Sequence, residues 1–174
     1  MSPAQPMGEP LPGAGELPAQ VAAPAPDGSM RPFSVYLHVP YCRVRCGYCD
    51  FNTYTNLTMG QGASAEDFLG TLAGELRDVR RAMDAAGLPV RPARTVFVGG
   101  GTPTMLPASD LVGMLHLVRE SFGLAPDAEV TTEANPDSVD EADLAALVGG
   151  GFTRVSFGMQ SAVPHVLKVL ERTH

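Results

Sequence analysis

The chain has 174 residues, 44% of them apolar, with 12 Lys and Arg against 19 Asp and Glu and a net charge of −7 at pH 7. That length sets a prior of about one domain with enough apolar material for a core, and the acidic balance argues against a general nucleic-acid binder, which needs a basic face. No apolar run approaches the ~18 residues of a membrane span, and the start Met1-Ser2-Pro3-Ala4-Gln5-Pro6 lacks the basic and apolar regions of a secretory signal, so a cytoplasmic location is the default expectation.

Residues 1–32 hold eight of the sixteen prolines, four glycines, six alanines and no aromatic residue. Such a composition buries too little apolar surface to offset its ordering entropy. It predicts a disordered Pro/Ala/Gly-rich tail over 1–32 and a folded region over 33–174. The alternating, β-rich run Ser34 to Pro40 reads as a first strand. Phe68, Leu72, Leu76, Val79 and Met83 then share one helical face, with Ser64 as N-cap and Gly87 as stop. Thr95 to Val98 is a second strand, ended by three glycines, and Leu111, Leu115, Val118 and Phe122 form a second helical stripe. Glu129 to Glu133 is a third strand. Ser138 and Glu141 suggest a capping box for a third helix ending near Gly149. Thr153 to Met159 is a fourth strand, and a short helix follows over Val163 to Leu170.

Strand and helix thus alternate four times with short connections, which implies a parallel sheet with right-handed crossovers. Both a doubly wound open sheet and part of a (βα) barrel satisfy that order. In either, function gathers at the carboxyl ends of the strands.

After the first strand stand Cys42, Cys46 and Cys49, the only cysteines in the chain. C-x3-C-x2-C brings three soft thiolates into one loop, and soft sulfur selects iron–sulfur clusters, zinc or copper. A structural zinc site wants four closed ligands. Three thiolates suit a four-iron cluster whose fourth iron takes a non-protein ligand. A disulfide is disfavoured in a reducing compartment. Arg43 and Arg45, in the same loop, are expected to offset the negative charge of thiolates and cluster. After the second strand comes Gly99-Gly100-Gly101-Thr102-Pro103, where bare backbone is able to approach a ligand; alone, it equally describes a tight turn. After the third stands Glu133, an acid at a strand tip of the kind that accepts bonds from ribose hydroxyls, or a solvated carboxylate beside the Asn135-Pro136 turn. After the fourth come Gln160 and Ser161. Taken alone, Arg172 reads as a surface charge, His174 is uninformative, and His38 reads as a packed core residue.

Together these residues carry a resemblance. Tyr36-Leu37-His38-Val39-Pro40-Tyr41-Cys42, the three-cysteine loop, Val98-Gly99-Gly100-Gly101-Thr102-Pro103-Thr104, Glu133-Ala134-Asn135-Pro136, Ser156-Phe157-Gly158-Met159-Gln160-Ser161 and Arg172-Thr173-His174 stand in order. The sequence resembles the radical S-adenosylmethionine (SAM) enzymes of the oxygen-independent coproporphyrinogen III oxidase-like family, over residues 34–174. The resemblance implies an α/β fold, a partial (βα) barrel of about four parallel strands with crossover helices, continued in family members by further strands and a C-terminal domain. It implies that Cys42, Cys46 and Cys49 ligate a [4Fe-4S] cluster and that SAM chelates the fourth iron. By the same resemblance Tyr36, Tyr48, Gly100, Gly101, Thr102, Glu133, Gln160 and Arg172 match SAM-contacting positions. Gly101, Thr102, Gln160 and Arg172 also match a second SAM site of the oxidase branch. The chemistry implied is reductive cleavage of SAM to a 5′-deoxyadenosyl radical.

The oxidase branch places a fourth cysteine two residues after the third. Here that position is Phe51, in Cys49-Asp50-Phe51-Asn52. This form resembles the heme chaperone branch, which binds heme and hands it to respiratory proteins. The implied cargo is therefore heme or a porphyrin, and the implied partner a heme-accepting respiratory protein. The alternatives are an oxygen-independent coproporphyrinogen III dehydrogenase of porphyrin biosynthesis and, from another class, a small metal-binding module.

Overall fold

The four runs of β-forming residues pair into a single parallel sheet in the order β1-β2-β3-β4, with β1 at Ser34–Val39, β2 at Ala93–Gly100, β3 at Leu124–Ala134 and β4 at Arg154–Phe157. The computed structural model describes residue 24 and residues 27–58 and 64–174. Of the segment 1–32 read as a tail, residues 1–23 and 25–26 lie outside the described residues.

The helices α1 (Phe68–Ala85), α2 (Ala108–Phe122) and α3 (Glu141–Gly150) connect successive strands, and α4 (Pro164–Leu170) follows the last. A sheet that grows by one neighbour at a time, always parallel, has no switch point. Right-handed crossovers then set every helix on the same face. The helix contacts agree, since α2 packs against both α1 and α3. This selects the barrel-like arrangement over the doubly wound sheet.

Period-two alternation sorts the strand residues. Leu37, Val39, Val96, Val98 and Val130 point at the helices and are buried with Leu111, Met114, Leu115 and Val118 of α2. The opposite, concave face carries Tyr36, Phe97, Thr131 and Arg154 in one register row. The next row begins with His38 opposite Gly99, and Glu133 stands opposite Ser156. Parallel sheets want both faces covered, and among the described residues only the convex face has helices over it.

Several local expectations change. Strand β3 starts at Leu124, five residues before Glu129, because the register shift between Ala93 and Thr95 accommodates Pro126. The Ser64 hydroxyl accepts from the Asp67 amide, but it closes a turn ahead of α1, and Asp67 is the N-cap. Val79 belongs to the predicted apolar stripe yet is 47% exposed, at the margin of a groove between α1 and the free edge of β1. The third helix is capped by Asp140 with Asp143 in a reciprocal capping box, two residues after the predicted Ser138. The Ser138 hydroxyl is engaged elsewhere, with the backbone of Asn135 and with Thr104. Among the described residues no helix is long and apolar enough to cross a membrane.

Candidate cluster and nucleotide site

The cysteine loop is pinned where it leaves the sheet. The Cys42 amide donates to the Tyr54 carbonyl at 2.9 Å, and the Tyr54 amide donates to the Pro40 carbonyl at 2.7 Å. These two bonds close the loop into a cap over the ends of β1 and β2. At its far end the Cys49 amide donates to the Cys46 carbonyl at 3.0 Å, turning the last two cysteines toward one side. All three cysteines are free thiols.

The glycines of β2 pass beneath this loop. Gly101 N–H donates to the Val39 carbonyl at 2.8 Å and Thr102 N–H to the Tyr41 carbonyl at 2.7 Å. A Cβ on Gly101 would stand 2.5 Å from the Tyr41 oxygen and 2.9 Å from the Cys42 sulfur. A Cβ on Gly100, whose φ is +117°, would strike the His38 ring at 2.7 Å. Only glycine lets the strand lie this close to the loop. One step along the sheet, the Glu133 carboxylate accepts from the Gly100 amide at 3.2 Å, tying β3 to the same point.

His38 is not the packed core residue expected of it. It faces the concave side, half-buried, with Nδ1 2.9 Å from the Tyr36 hydroxyl and Nε2 2.9 Å from the Asn52 carbonyl. It thereby links β1 to the end of the cysteine loop. Alternation with Leu37 and Val39, both buried, is the sequence signal that would have placed it there.

The fourth strand and the chain after α4 complete the enclosure. Arg172 reaches back so that Nη1 donates to Cys46 Sγ at 3.2 Å and Nη2 to Asn135 Oδ1 at 2.9 Å. Its Nε–H is buried without an acceptor. Asn135 Nδ2 donates onward to Thr102 Oγ1 at 3.3 Å. Asn135, which the sequence shows as a turn residue within the Glu133-Ala134-Asn135-Pro136 motif, joins the second and third strand ends to Arg172. Arg43 and Arg45, expected to offset the thiolate charge, are exposed and make no hydrogen bond or ion pair with a cysteine among the described residues. Arg43 nevertheless borders a cavity that it shares with Cys46 and Arg172, whereas Arg45 does not.

The result is a cavity of about 180 Å³ lined by Cys42, Cys46, Cys49 and Tyr48 from the loop. Gly100, Gly101 and Thr102 line it from β2 and the turn after it, Glu133 from β3, and Gln160 and Arg172 from the region after β4. Val44, Phe51 and Phe157 form its apolar rim, each about half exposed. A second cavity of about 140 Å³ adjoins it through Cys46, Thr102, Asn135 and Arg172. Tyr36 alone of the sequence-derived site residues is outside the first cavity; it stacks on Phe97 on the concave face.

Burial pushes the Cys42 thiol up, against the opposing pull of the Thr102 and Thr53 hydroxyls. Burial likewise raises Tyr36, with the Glu133 charge adding to it, and raises Tyr48. A buried thiol becomes a thiolate once a metal replaces its proton. No three His, Cys, Asp or Glu side chains among the described residues converge closely enough for a single metal ion. Three soft donors lining one cavity are the donor type that a multi-iron cluster takes. The unpaired Arg172 N–H and the glycine cradle fit an anionic ligand with a backbone-sized approach beside it.

The radical SAM superfamily model matches residues 36–174. A heme chaperone, HemW of Mycobacterium tuberculosis, is 48% identical over 164 residues, covering 94% of this chain and 38% of that protein. HemW of Escherichia coli is 36% identical over 143 residues, covering 82% of this chain and 36% of that protein. The solved structure of coproporphyrinogen III oxidase (HemN) from E. coli, described as a radical SAM enzyme, superposes with a TM-score of 0.69 at 30% identity, covering 83% of this chain and 31% of that one. The chain therefore spans less than two-fifths of the length of these relatives.

Proposed function

The chain belongs to the radical SAM superfamily, and on that premise we propose that it is the cluster- and SAM-binding portion of a heme chaperone. Cys42, Cys46 and Cys49 would hold a [4Fe-4S] cluster, which when bound supplies one-electron reduction of SAM. Gly100, Gly101 and Thr102 present backbone to the ligand, the buried Arg172 N–H meets an anionic group, and Glu133 stands ready to accept from hydroxyls. Tyr48 and Gln160 close the sides of the cavity. Tyr36 acts through the concave face, beside His38 and Glu133.

The observation that carries the chaperone reading is Phe51 on the rim of the cavity, at the position where the oxidase branch has its fourth cysteine. An exposed aromatic there makes the wall apolar and removes a thiol from beside the cluster. With Val44 and Phe157 it offers an apolar rim of the kind a flat macrocycle stacks on. The identity to curated heme chaperones supports the same reading. Heme is then the cargo, and a heme-accepting respiratory protein the partner.

The test is anaerobic turnover of the reconstituted protein with SAM, a reductant and coproporphyrinogen III, alongside a heme titration. The proposal expects heme binding near one equivalent and no protoporphyrinogen. Protoporphyrinogen formed at a catalytic rate would overturn it in favour of a coproporphyrinogen dehydrogenase.

A further inference from the structure

We propose that Arg172 is the protein's hydrogen-bond donor to the cluster, acting through the Cys46 sulfur, and that this donor makes the cluster easier to reduce. The inference rests on reading the three cysteines as cluster ligands.

Proximity in sequence would give the counter-charge to Arg43 or Arg45, but among the described residues neither bonds to a cysteine: Arg45 borders no cavity with Cys46, and Arg43, which lines the second cavity beside it, makes no hydrogen bond to its sulfur. Arg172 lies 126 positions beyond Cys46 and still places Nη1 3.2 Å from its sulfur. It is aimed from two sides. Asn135 Oδ1 accepts from Nη2 at 2.9 Å, and Asn135 is itself held by Thr102. His174 Nε2 faces the same Nη2, and its Nδ1 is 3.5 Å from Asp137 Oδ1. Nδ1 is nearer the Thr173 hydroxyl, at 3.0 Å, which itself donates to Asp137 Oδ2 at 3.2 Å; a proton on Nδ1 directed at Thr173 Oγ1 leaves Nε2 free to accept from the guanidinium. The guanidinium is planar with a fixed fork, so holding one edge directs the other.

The charge on Arg172 points the same way. Arg172 is part-buried, and no Asp or Glu among the described residues forms an ion pair with it. A desolvated cation without a carboxylate is costly unless its counter-charge is supplied by something else. A cluster held by three thiolates supplies it. Hydrogen bonds to sulfur are among the levers that set iron–sulfur potentials. Reduction adds one negative charge, and a charged donor at a ligand sulfur favours the more negative state.

The experiment compares the anaerobically reconstituted wild-type protein with Arg172→Met, Arg172→Lys and Arg45→Gln. Iron and sulfide are counted first, then the midpoint potential is measured by titration followed by EPR. The expected result is a more negative potential in Arg172→Met, a smaller shift of the same sign in Arg172→Lys, and none in Arg45→Gln. A potential unchanged in Arg172→Met, or moved as far by Arg45→Gln, would overturn the inference. If Arg172→Met takes up no cluster, Arg172→Lys decides it by the same criterion. A wild-type protein that binds no iron contradicts the cysteine reading itself, and the counting step separates that failure from the other.

Discussion

The same four strands serve two regions with opposite construction. Toward the helices they present Val96, Val98 and Val130 against Leu111, Met114 and Leu115, all almost completely buried. At their carboxyl ends they present cysteines, glycines, Glu133 and Asn135, joined by bonds from side chains to backbone and to one another and left partly open. The first region is periodic and any one of its contacts is one among many. The second is aperiodic, and each member has a separate task. The difference teaches that stability and chemistry are separable here by direction along and across a strand, so substitutions should sort the same way.

The largest effect is expected at the mouth. Replacing Cys46 by Ala should abolish cluster loading, seen as loss of the visible absorption and of about four irons per chain, while the far-UV circular dichroism stays as in wild type. Retention of full loading would break the division at its strongest point.

Next comes the converse substitution. Leu115→Ala, at a position with 0% exposure, should cost about 2–5 kcal/mol in denaturant unfolding. Whatever chain remains folded should still load its cluster. A cost under ~1 kcal/mol would mean that the helix-facing layer is not the source of stability.

Glycines sharpen the contrast further. Gly101→Ala places a methyl group 2.5 Å from the Tyr41 oxygen, so the cradle must open, and SAM binding measured by calorimetry should weaken at least about tenfold, ~1.4 kcal/mol. Gly70→Ala in α1 meets nothing within 4 Å and should stabilise by about 0.5–1 kcal/mol with SAM affinity unchanged. Equal effects from the two would erase the distinction.

The smallest effect is expected at the α3 cap. Asp140→Ala removes the side-chain acceptor for the Asp143 amide and should cost about 1 kcal/mol, read from thermal unfolding, without changing the site.

What was legible in the sequence follows the same line. The stripe of α2 was readable because burial repeats at helical spacing, and Leu111, Leu115, Val118 and Phe122 are all buried as expected. Val79 departs because α1 borders the free edge of β1, where periodicity alone does not say whether a neighbour is present. The α3 cap was misplaced because Ser138 and Asp140 both lie ahead of the helix, and only three dimensions show that Ser138 is already bonded to Thr104 and Asn135. At the mouth, the cysteines and glycines announce themselves by type and spacing. Asn135 and the contact of Arg172 with Cys46 do not, because they depend on which strand ends lie side by side. Arg45 misled for the same reason, since closeness in sequence is not closeness to the sulfur, while Arg43 borders the second cavity with Cys46 without bonding to it.

The central claim is that the strand-end mouth is built around a four-iron cluster that meets SAM. EPR of the dithionite-reduced, reconstituted protein, recorded with and without SAM and paired with iron and sulfide analysis, tests it most directly. The account predicts about four irons and four sulfides per chain and a cluster signal whose g-values change when SAM is added. A single bound zinc, or a cluster whose signal is indifferent to SAM, would contradict it.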